Sequence, residues 1–391
     1  MGKKSTSSWK LIALVLSALS AVFMLVYTWL IRKVALTVIQ PSTNEVPDGY
    51  ILDIDYETET ITFSAGESFG INGEYGVVFG AKRGGYLKIG NIIRQDRKTI
   101  TRELGEIVRG TPESGEPAWQ MSWFYSGPAD LNLRYREILI KGPIGILPSW
   151  VFPVEKSSQW AVLVHGRGAS RAECLRAVPL LVEQGYNCVV ISYRNDGVAT
   201  PSPSGRYSLG STEWHDLEAV IEYVQGEGAE DLLIMAWSMG AAITQEYLRH
   251  MRGSEQLGQL SGVIYDSPVV DWSTVLDYHA DIAGLYQPVR DGARALLENE
   301  WGTMLTGAEQ ALDFDEMSLL EHPENIFVPT LILHSDDDHF VPSSGSRELQ
   351  AMQSELVTLV SFDEAQHVRL WNYDPARWSG AITSWLLQLR G

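Results

Sequence analysis

An uninterrupted apolar run, Leu232-Leu233-Ile234-Met235, leads through Ala236-Trp237-Ser238-Met239-Gly240 into a helix-forming run, Ala241-Ala242-Ile243-Thr244-Gln245-Glu246-Tyr247-Leu248. The order predicts a buried strand, a sharp turn with a serine at its apex and a helix that starts at once, the arrangement of a nucleophile elbow. Such a turn forces Ser238 into a strained backbone conformation. Neighbouring chain then passes close to the positions two before and two after the serine, where only small residues fit. Ala236 and Gly240 meet that demand. A unit of this kind needs a sheet around it, and the remainder of the chain supplies one.

From about Leu131 the sequence alternates apolar strands with amphipathic helices. Residues 135–140 and 147–152 read as an opening antiparallel pair, and residues 160–164, 188–192, 261–265, 330–333 and 356–360 as apolar strands. Between them, Trp214, Leu217, Ile221 and Val224 recur at helical spacing until Gly226 ends the run. This pattern predicts an α/β fold, a doubly wound, mostly parallel sheet covered on both faces. Residues 40–130 read differently. Tyr50, Leu52, Ile54 and Tyr56 alternate with Asp53, Asp55 and Glu57, and residues 76–79 and 86–89 flank Arg83-Gly84-Gly85, a hairpin signal. This region is β-rich and carries no cofactor motif.

Leu11 to Ile31 is 21 residues without a charge. At 1.5 Å per residue such a helix spans about 31 Å, roughly the hydrocarbon thickness of a bilayer. Trp9 lies at one edge and Tyr27 and Trp29 near the other, as in interfacial aromatic belts. A cleaved signal peptide has a shorter apolar region; here the run continues eleven residues past the small-residue site Ala18-Leu19-Ser20 until Arg32-Lys33 stops it. An uncleaved single-pass anchor is expected. Lys3, Lys4 and Lys10 precede the span, which favours a cytoplasmic N-terminus and an extracytoplasmic bulk. The Met1-Gly2 start also fits an acylation pattern, redundant beside a spanning helix. Beyond residue 40 the chain holds 25 basic against 49 acidic residues, a charge that repels phosphate backbones and excludes a nucleic-acid partner. Cys174 and Cys188 are the two cysteines, expected as free, buried thiols at opposite ends of one helix.

Acyl transfer by a serine needs a base, an acid to orient it and donors for the oxyanion, all on loops at the carboxyl ends of strands. The acid candidates are Asp336, Asp337 and Asp338, after the strand at 330–333, and Asp266 after an earlier one. The base candidate is His367, in the loop after the last strand and 29 residues beyond Asp338. The backbone N–H of Met239 is one expected oxyanion donor. The tract with His334 and His339 lacks a recurring ligand spacing, and no metal is expected.

With Ser238, then His334-Ser335-Asp336-Asp337-Asp338-His339-Phe340-Val341-Pro342, then His367, residues 133–391 resemble the α/β-hydrolase family. That family often carries His-Gly-x-x-Asp-x-x-Val-Pro here. Laid on this chain, the resemblance implies Asp338 as the acid, with Ser335 in place of the glycine, and His367 as the catalytic histidine. In His165-Gly166-Arg167-Gly168-Ala169 it implies the N–H of Arg167 as the second oxyanion donor.

The expected organisation is a tail and anchor over residues 1–33, a β-rich region over 34–130, and an α/β-hydrolase domain over 131–391 with a helical cap at about 269–325. The expected function is a membrane-attached serine hydrolase without cofactor, acting on a small-molecule or lipid ester through an acyl-serine. The same machinery serves peptidases of the aminopeptidase type. A silent hydrolase fold using the β-rich region as a binding module is the rival from another class, and the complete Ser–Asp–His order argues against it.

Overall fold

The computed structural model describes residues 5–41 and 46–390; Lys3, Lys4 and the Met1-Gly2 pattern lie outside them. Helix α1 (Ser5–Ile39) comes first. The strands β1 (Gly49–Asp55), β2 (Thr60–Ser64), β3 (Tyr75–Phe79), β4 (Gly85–Gln95), β5 (Thr99–Arg109) and β6 (Pro117–Met121) then close into an antiparallel barrel, in the order β1-β2-β5-β4-β3-β6. The hairpin at Arg83-Gly84-Gly85 joins β3 to β4 as expected. In β1 it is Ile51 that is buried, while Tyr50 and Leu52 are exposed; the register shifts between Ile51 and Asp53 and breaks the two-residue alternation. The barrel interior also encloses Arg102, which donates to the carbonyls of Phe69, Ile71, Gly73 and Gly90. Burial lowers its pKa to about 10, and the guanidinium still carries its charge at neutral pH.

The second body follows in chain order: β7 (Arg136–Lys141), β8 (Ile146–Phe152), β9 (Gln159–Val164), α2 (Val178–Glu183), β10 (Asn187–Val190), α3 (Trp214–Gly226), β11 (Asp231–Trp237), α4 (Met239–Met251), β12 (Leu260–Asp266), α5 (Trp272–Ile282), α6 (Gln287–Glu298), α7 (Glu300–Thr306), β13 (Thr330–Ser335), α8 (Ser344–Met352), β14 (Val357–Phe362), α9 (Leu370–Tyr373) and α10 (Pro375–Arg390). The sheet order is β14-β13-β12-β11-β9-β10-β8-β7, parallel from β14 to β10 and antiparallel beyond. Along β11 the side chains alternate between two cores. Leu232, Ile234 and Ala236 pack with α3 and α4, whereas Leu233, Met235 and Trp237 pack with Trp378, Ile382 and Trp385 of α10. Coverage on both faces explains why the strand reads as one apolar run.

Helix α1 departs from expectation at its C-terminal end. It does not stop at Arg32-Lys33 but runs on to Ile39, so the boundary expected after residue 33 falls inside a helix. Trp9 to Val26 are exposed, while Ile31, Ala35 and Ile39 are buried in the core of the second body. Arg32 is accommodated because its Nε donates to the Leu305 carbonyl at 2.6 Å.

Two consequences for stability are testable. A Cβ on Gly240 would lie 2.4 Å from the Val164 carbonyl oxygen and 2.8 Å from that of His165, whereas one on Gly380 in α10 meets nothing within 4 Å. Gly240→Ala should lose about 1–3 kcal/mol or more by overpacking, and Gly380→Ala should gain up to about 1 kcal/mol of helix propensity; thermal unfolding separates the two. Arg102→Leu should cost about 3 kcal/mol or more, because buried carbonyls lose their donors, read as a lowered denaturation midpoint.

Candidate active site

The turn between β11 and α4 holds Ser238 at φ +50° and ψ −119°, a conformation that side-chain-bearing residues rarely adopt. The strain projects the hydroxyl past the carboxyl edge of the sheet. Ser238 Oγ lies 2.9 Å from His367 Nε2, and His367 Nδ1 lies 2.7 Å from Asp338 Oδ2. Asp338 accepts only, so Nδ1 carries the proton and Nε2 is free to accept from the serine.

Asp338 is held from several sides. Its Oδ1 accepts from the N–H groups of Phe340 and Val341, each at 2.8 Å. Its Oδ2 also receives Nε2 of the buried His334 at 3.2 Å. That same nitrogen lies 3.0 Å from the Val341 carbonyl, so it is the protonated one, and His334 Nδ1 accepts from Ser346 Oγ at 2.7 Å. Burial by itself would raise the Asp338 pKa. The charge of His367 and the hydrogen bonds from His334 and His367 outweigh it and hold the carboxyl well below the usual range. The neighbouring acids do other things: Asp336 pairs with Arg347, and Asp337 with His339 at 3.2 Å on the surface.

Asp266, the remaining acid candidate, does not touch His367. It is fully buried, accepts from Trp378 Nε1 at 2.8 Å and from Ser267 Oγ at 3.0 Å, and burial pushes its pKa up. Ser267 Oγ in turn accepts the Val368 N–H at 3.1 Å, next to the catalytic candidate His367. Val368 has φ +50°, a costly conformation for a β-branched residue, and Ser267 has φ +51°. Arg176 Nη1 donates to the Val368 carbonyl at 2.8 Å. Strained backbone on both sides of the site is thus held by buried polar groups.

Met239 opens α4, and Arg167 follows Gly166 at the end of β9; among the described residues neither N–H is bonded within the protein. Gly166 lies against the serine, since a Cβ there would sit 3.1 Å from Ser238 Cβ. Glu173, a buried acid that sequence reasoning missed, accepts the Gly166 N–H at 3.1 Å and the hydroxyl of Ser122, just past β6, at 3.0 Å. No signal in the single sequence marks it, since its partners Gly166 and Ser122 are set by the fold. The Arg167 side chain turns away from the site. Its Nη2 donates to the carbonyls of Thr37 and Gln40 at 2.8 and 2.9 Å, satisfying the C-terminal end of α1.

A cavity of about 620 Å³ lies over the serine. Val34 and Val38 of α1, Trp272 and Leu276 of α5 and Leu297 of α6 form much of its wall, with Ser238 at its floor. A smaller cleft of about 310 Å³ lies beside His367, bordered by Gln120, Met121 and Trp123 from the barrel side. Phe340 borders both, its ring 5.0 Å from that of His367. The thiols of Cys174 and Cys188 are free and buried, and burial pushes both pKa values up, so neither is a nucleophile.

The sequence profile of the Alpha/beta hydrolase family matches residues 161–381, and a family described as a domain of unknown function matches residues 50–120. Among curated proteins, a non-heme haloperoxidase of Rhodococcus erythropolis is 26% identical over 217 residues, 47% of this chain and 76% of that protein. The uncharacterized protein YfhR of Salmonella typhi is 22% identical over 231 residues, 57% of this chain and 70% of its own length. Among solved structures, an esterase of Pyrococcus furiosus superposes with a TM-score of 0.52 at 19% identity, covering 68% of this chain and 95% of that one, a similarity of fold. On the profile match and the architecture together, the chain belongs to the alpha/beta hydrolase family.

Proposed function

We propose that the chain is a membrane-anchored serine hydrolase that cleaves carboxylic esters with an apolar acyl part. The observation that carries this is the continuous Ser238–His367–Asp338 hydrogen-bond chain at the floor of a cavity walled largely by apolar side chains. Ser238 Oγ attacks the ester carbonyl while His367 Nε2 takes its proton. The oxyanion points at the N–H groups of Met239 and Arg167. When the tetrahedral intermediate collapses, His367 returns the proton to the leaving alcohol. Water, deprotonated by the same nitrogen, then attacks the acyl-serine, and its collapse frees the acid and restores the serine. Asp338 fixes the tautomer of His367 and stabilises its cation.

The acyl chain fits the larger cavity, where each buried methylene contributes about 0.8 kcal/mol. The smaller cleft beside His367 suits the leaving alcohol. An aminopeptidase requires an acid to meet the ammonium of its substrate, and Asp277 and Asp291 do border the cavity, but the wall around them is mostly apolar, which favours an acyl chain over a charged terminus. The cap arginines are engaged, Arg290 with Asp281 at 2.5 Å, and Arg294 with Glu298 at 2.8 Å and Asp315 at 3.3 Å, so neither is free for a peptide carboxylate. The apolar stretch of α1 is long enough to cross a bilayer and is exposed over its first half, which supports its role as an anchor retained in the mature protein.

Ser238→Ala should lower kcat by a factor on the order of 10⁶, with the thermal unfolding curve unchanged. Asp338→Asn should cost roughly 10⁴ by favouring the wrong histidine tautomer, while Asp336→Asn and Asp337→Asn retain most activity; steady-state kinetics on one ester reads all four. Unchanged turnover in Ser238→Ala refutes the mechanism. On substrates, natural acylglycerols should show a higher kcat/KM than aminoacyl or peptidyl amides. Faster cleavage of the amides would move the chain to the peptidase side of the family.

A further inference from the structure

The stretch of α1 in which every residue is exposed is too short to span a bilayer alone. Trp9 to Val26 is 18 residues, about 27 Å of helix against a hydrocarbon core of about 30 Å. The next residues, Tyr27 to Ile31, are uncharged and complete the span. At that level α1 is already bound to the cap. Tyr27 Oη donates to the Pro288 carbonyl at 2.6 Å. A Cβ on Gly292 would meet Tyr27 Oη at 2.5 Å and Ile31 Cγ2 at 2.8 Å, so the backbone of α6 lies directly against the helix. One turn further on, Arg32 bonds to Leu305 at the end of α7. The turn before α6 and the face of α7 therefore stand at the depth where acyl chains meet headgroups.

The side chains presented there suit that depth. Tyr286 is 82% exposed, Met304 87% and Trp301 54%, on a body that is otherwise strongly acidic. They continue the apolar lateral surface of α1, and aromatic residues at the boundary match the position of Tyr27 and Trp29. One environment, lipid, covers the helix and the patch together. The catalytic cavity shares the same wall, because Val34 and Val38 line it one to two turns beyond Ile31.

We propose that the α6–α7 face of the cap is seated in the bilayer beside α1, and that an acyl ester dissolved in the membrane enters the cavity past the turn between α5 and α6, where Ile282, Ala283 and Gln287 are exposed at its rim, without passing through water. The entry route rests on the serine-hydrolase reading; the seating does not.

The test uses the full chain reconstituted in phosphatidylcholine vesicles. An environment-sensitive fluorophore is attached at Met304→Cys, with Glu155→Cys, in the turn before β9 at the opposite end of the sheet, as the reference site; Cys174 and Cys188 are buried. Blue-shifted emission quenched by brominated lipid at Met304→Cys, with water-like emission at Glu155→Cys, is the expected result. Water-like emission at both overturns the seating. In a second arm, the double variant Trp301→Asp, Met304→Asp should hydrolyse a vesicle-resident long-chain acylglycerol roughly tenfold more slowly as the apolar contact is lost. Its turnover of p-nitrophenyl butyrate should stay unchanged, which reports an intact fold and site. Equal rates on the vesicle substrate overturn lateral entry. A Met304→Cys chain that reports as seated, with a wild-type parent that hydrolyses neither ester, overturns the hydrolase reading and the entry route while upholding the seating.

Discussion

The close approach of two chain segments at the carboxyl ends of β9 and β11 is the constraint on which the site depends. Ser238 turns through a left-handed conformation, Gly240 passes beneath the carbonyls of Val164 and His165, and Gly166 packs on the serine Cβ. None of these contacts admits an extra methyl group without moving backbone. The strain is offset by the sheet, since the Ser238 N–H bonds to the Asp266 carbonyl at 3.1 Å and β11 is hydrogen-bonded on both edges. A serine held this way loses little further entropy on reaction, which is the physical content of pre-organisation.

A second layer of buried polar groups fixes the partners of the serine. Asp266 reaches the histidine loop through Ser267, Arg176 through the Val368 carbonyl, and Glu173 reaches the Gly166 loop. The barrel joins this layer. Ser122 bonds to Glu173, and Asn372, which receives Arg176, bonds through its amide to the Glu74 carbonyl at 2.6 Å. Buried donors and acceptors are costly unless paired, so displacing the barrel would leave several groups of the catalytic layer unsatisfied. The barrel is accordingly a structural support of the site as well as a border of the smaller cleft.

The residues legible in the sequence were those whose role is set by local backbone pattern. The period of each apolar run gave the strands, and the small-x-Ser-x-small turn lay on the expected elements. Asp338 was singled out from its neighbours by the resemblance to the family's pattern, and His367 by that resemblance together with its loop after the last strand; the structure brings both to the serine. What was not legible depends on contacts between distant segments. Arg32-Lys33 looked like a stop because charge ends a membrane span; it does not end a helix that has a carbonyl and an aromatic ring waiting, with Lys33 Nζ 5.4 Å over Trp29. The place of the Arg167 side chain is not legible in the sequence, because its partners are carbonyls well over a hundred residues away in the chain. His334 was visible as a motif letter, yet its contact with Asp338 follows from the return of the chain at Val341.

The Arg167 contact ties these levels together. Its backbone N–H, the proposed oxyanion donor, is unbonded among the described residues, while its guanidinium caps the last turn of α1 and burial lowers its pKa. The Tyr207 N–H bonds to the Ile39 carbonyl at 2.8 Å at the same place. A helix that would otherwise end in unsatisfied carbonyls is therefore completed by the loop that carries the proposed oxyanion donor. Any tilt of α1 relative to the body must break those bonds or drag the loop with it. Because the same helix supplies Val34 and Val38 to the cavity wall, its position sets both the shape of the cavity over Ser238 and the aim of the Arg167 N–H, the proposed oxyanion donor. Helix α1 and the candidate site are in this sense one mechanical unit, which gives a physical reason for α1 to continue, unbroken, past the charges that mark the end of its apolar span.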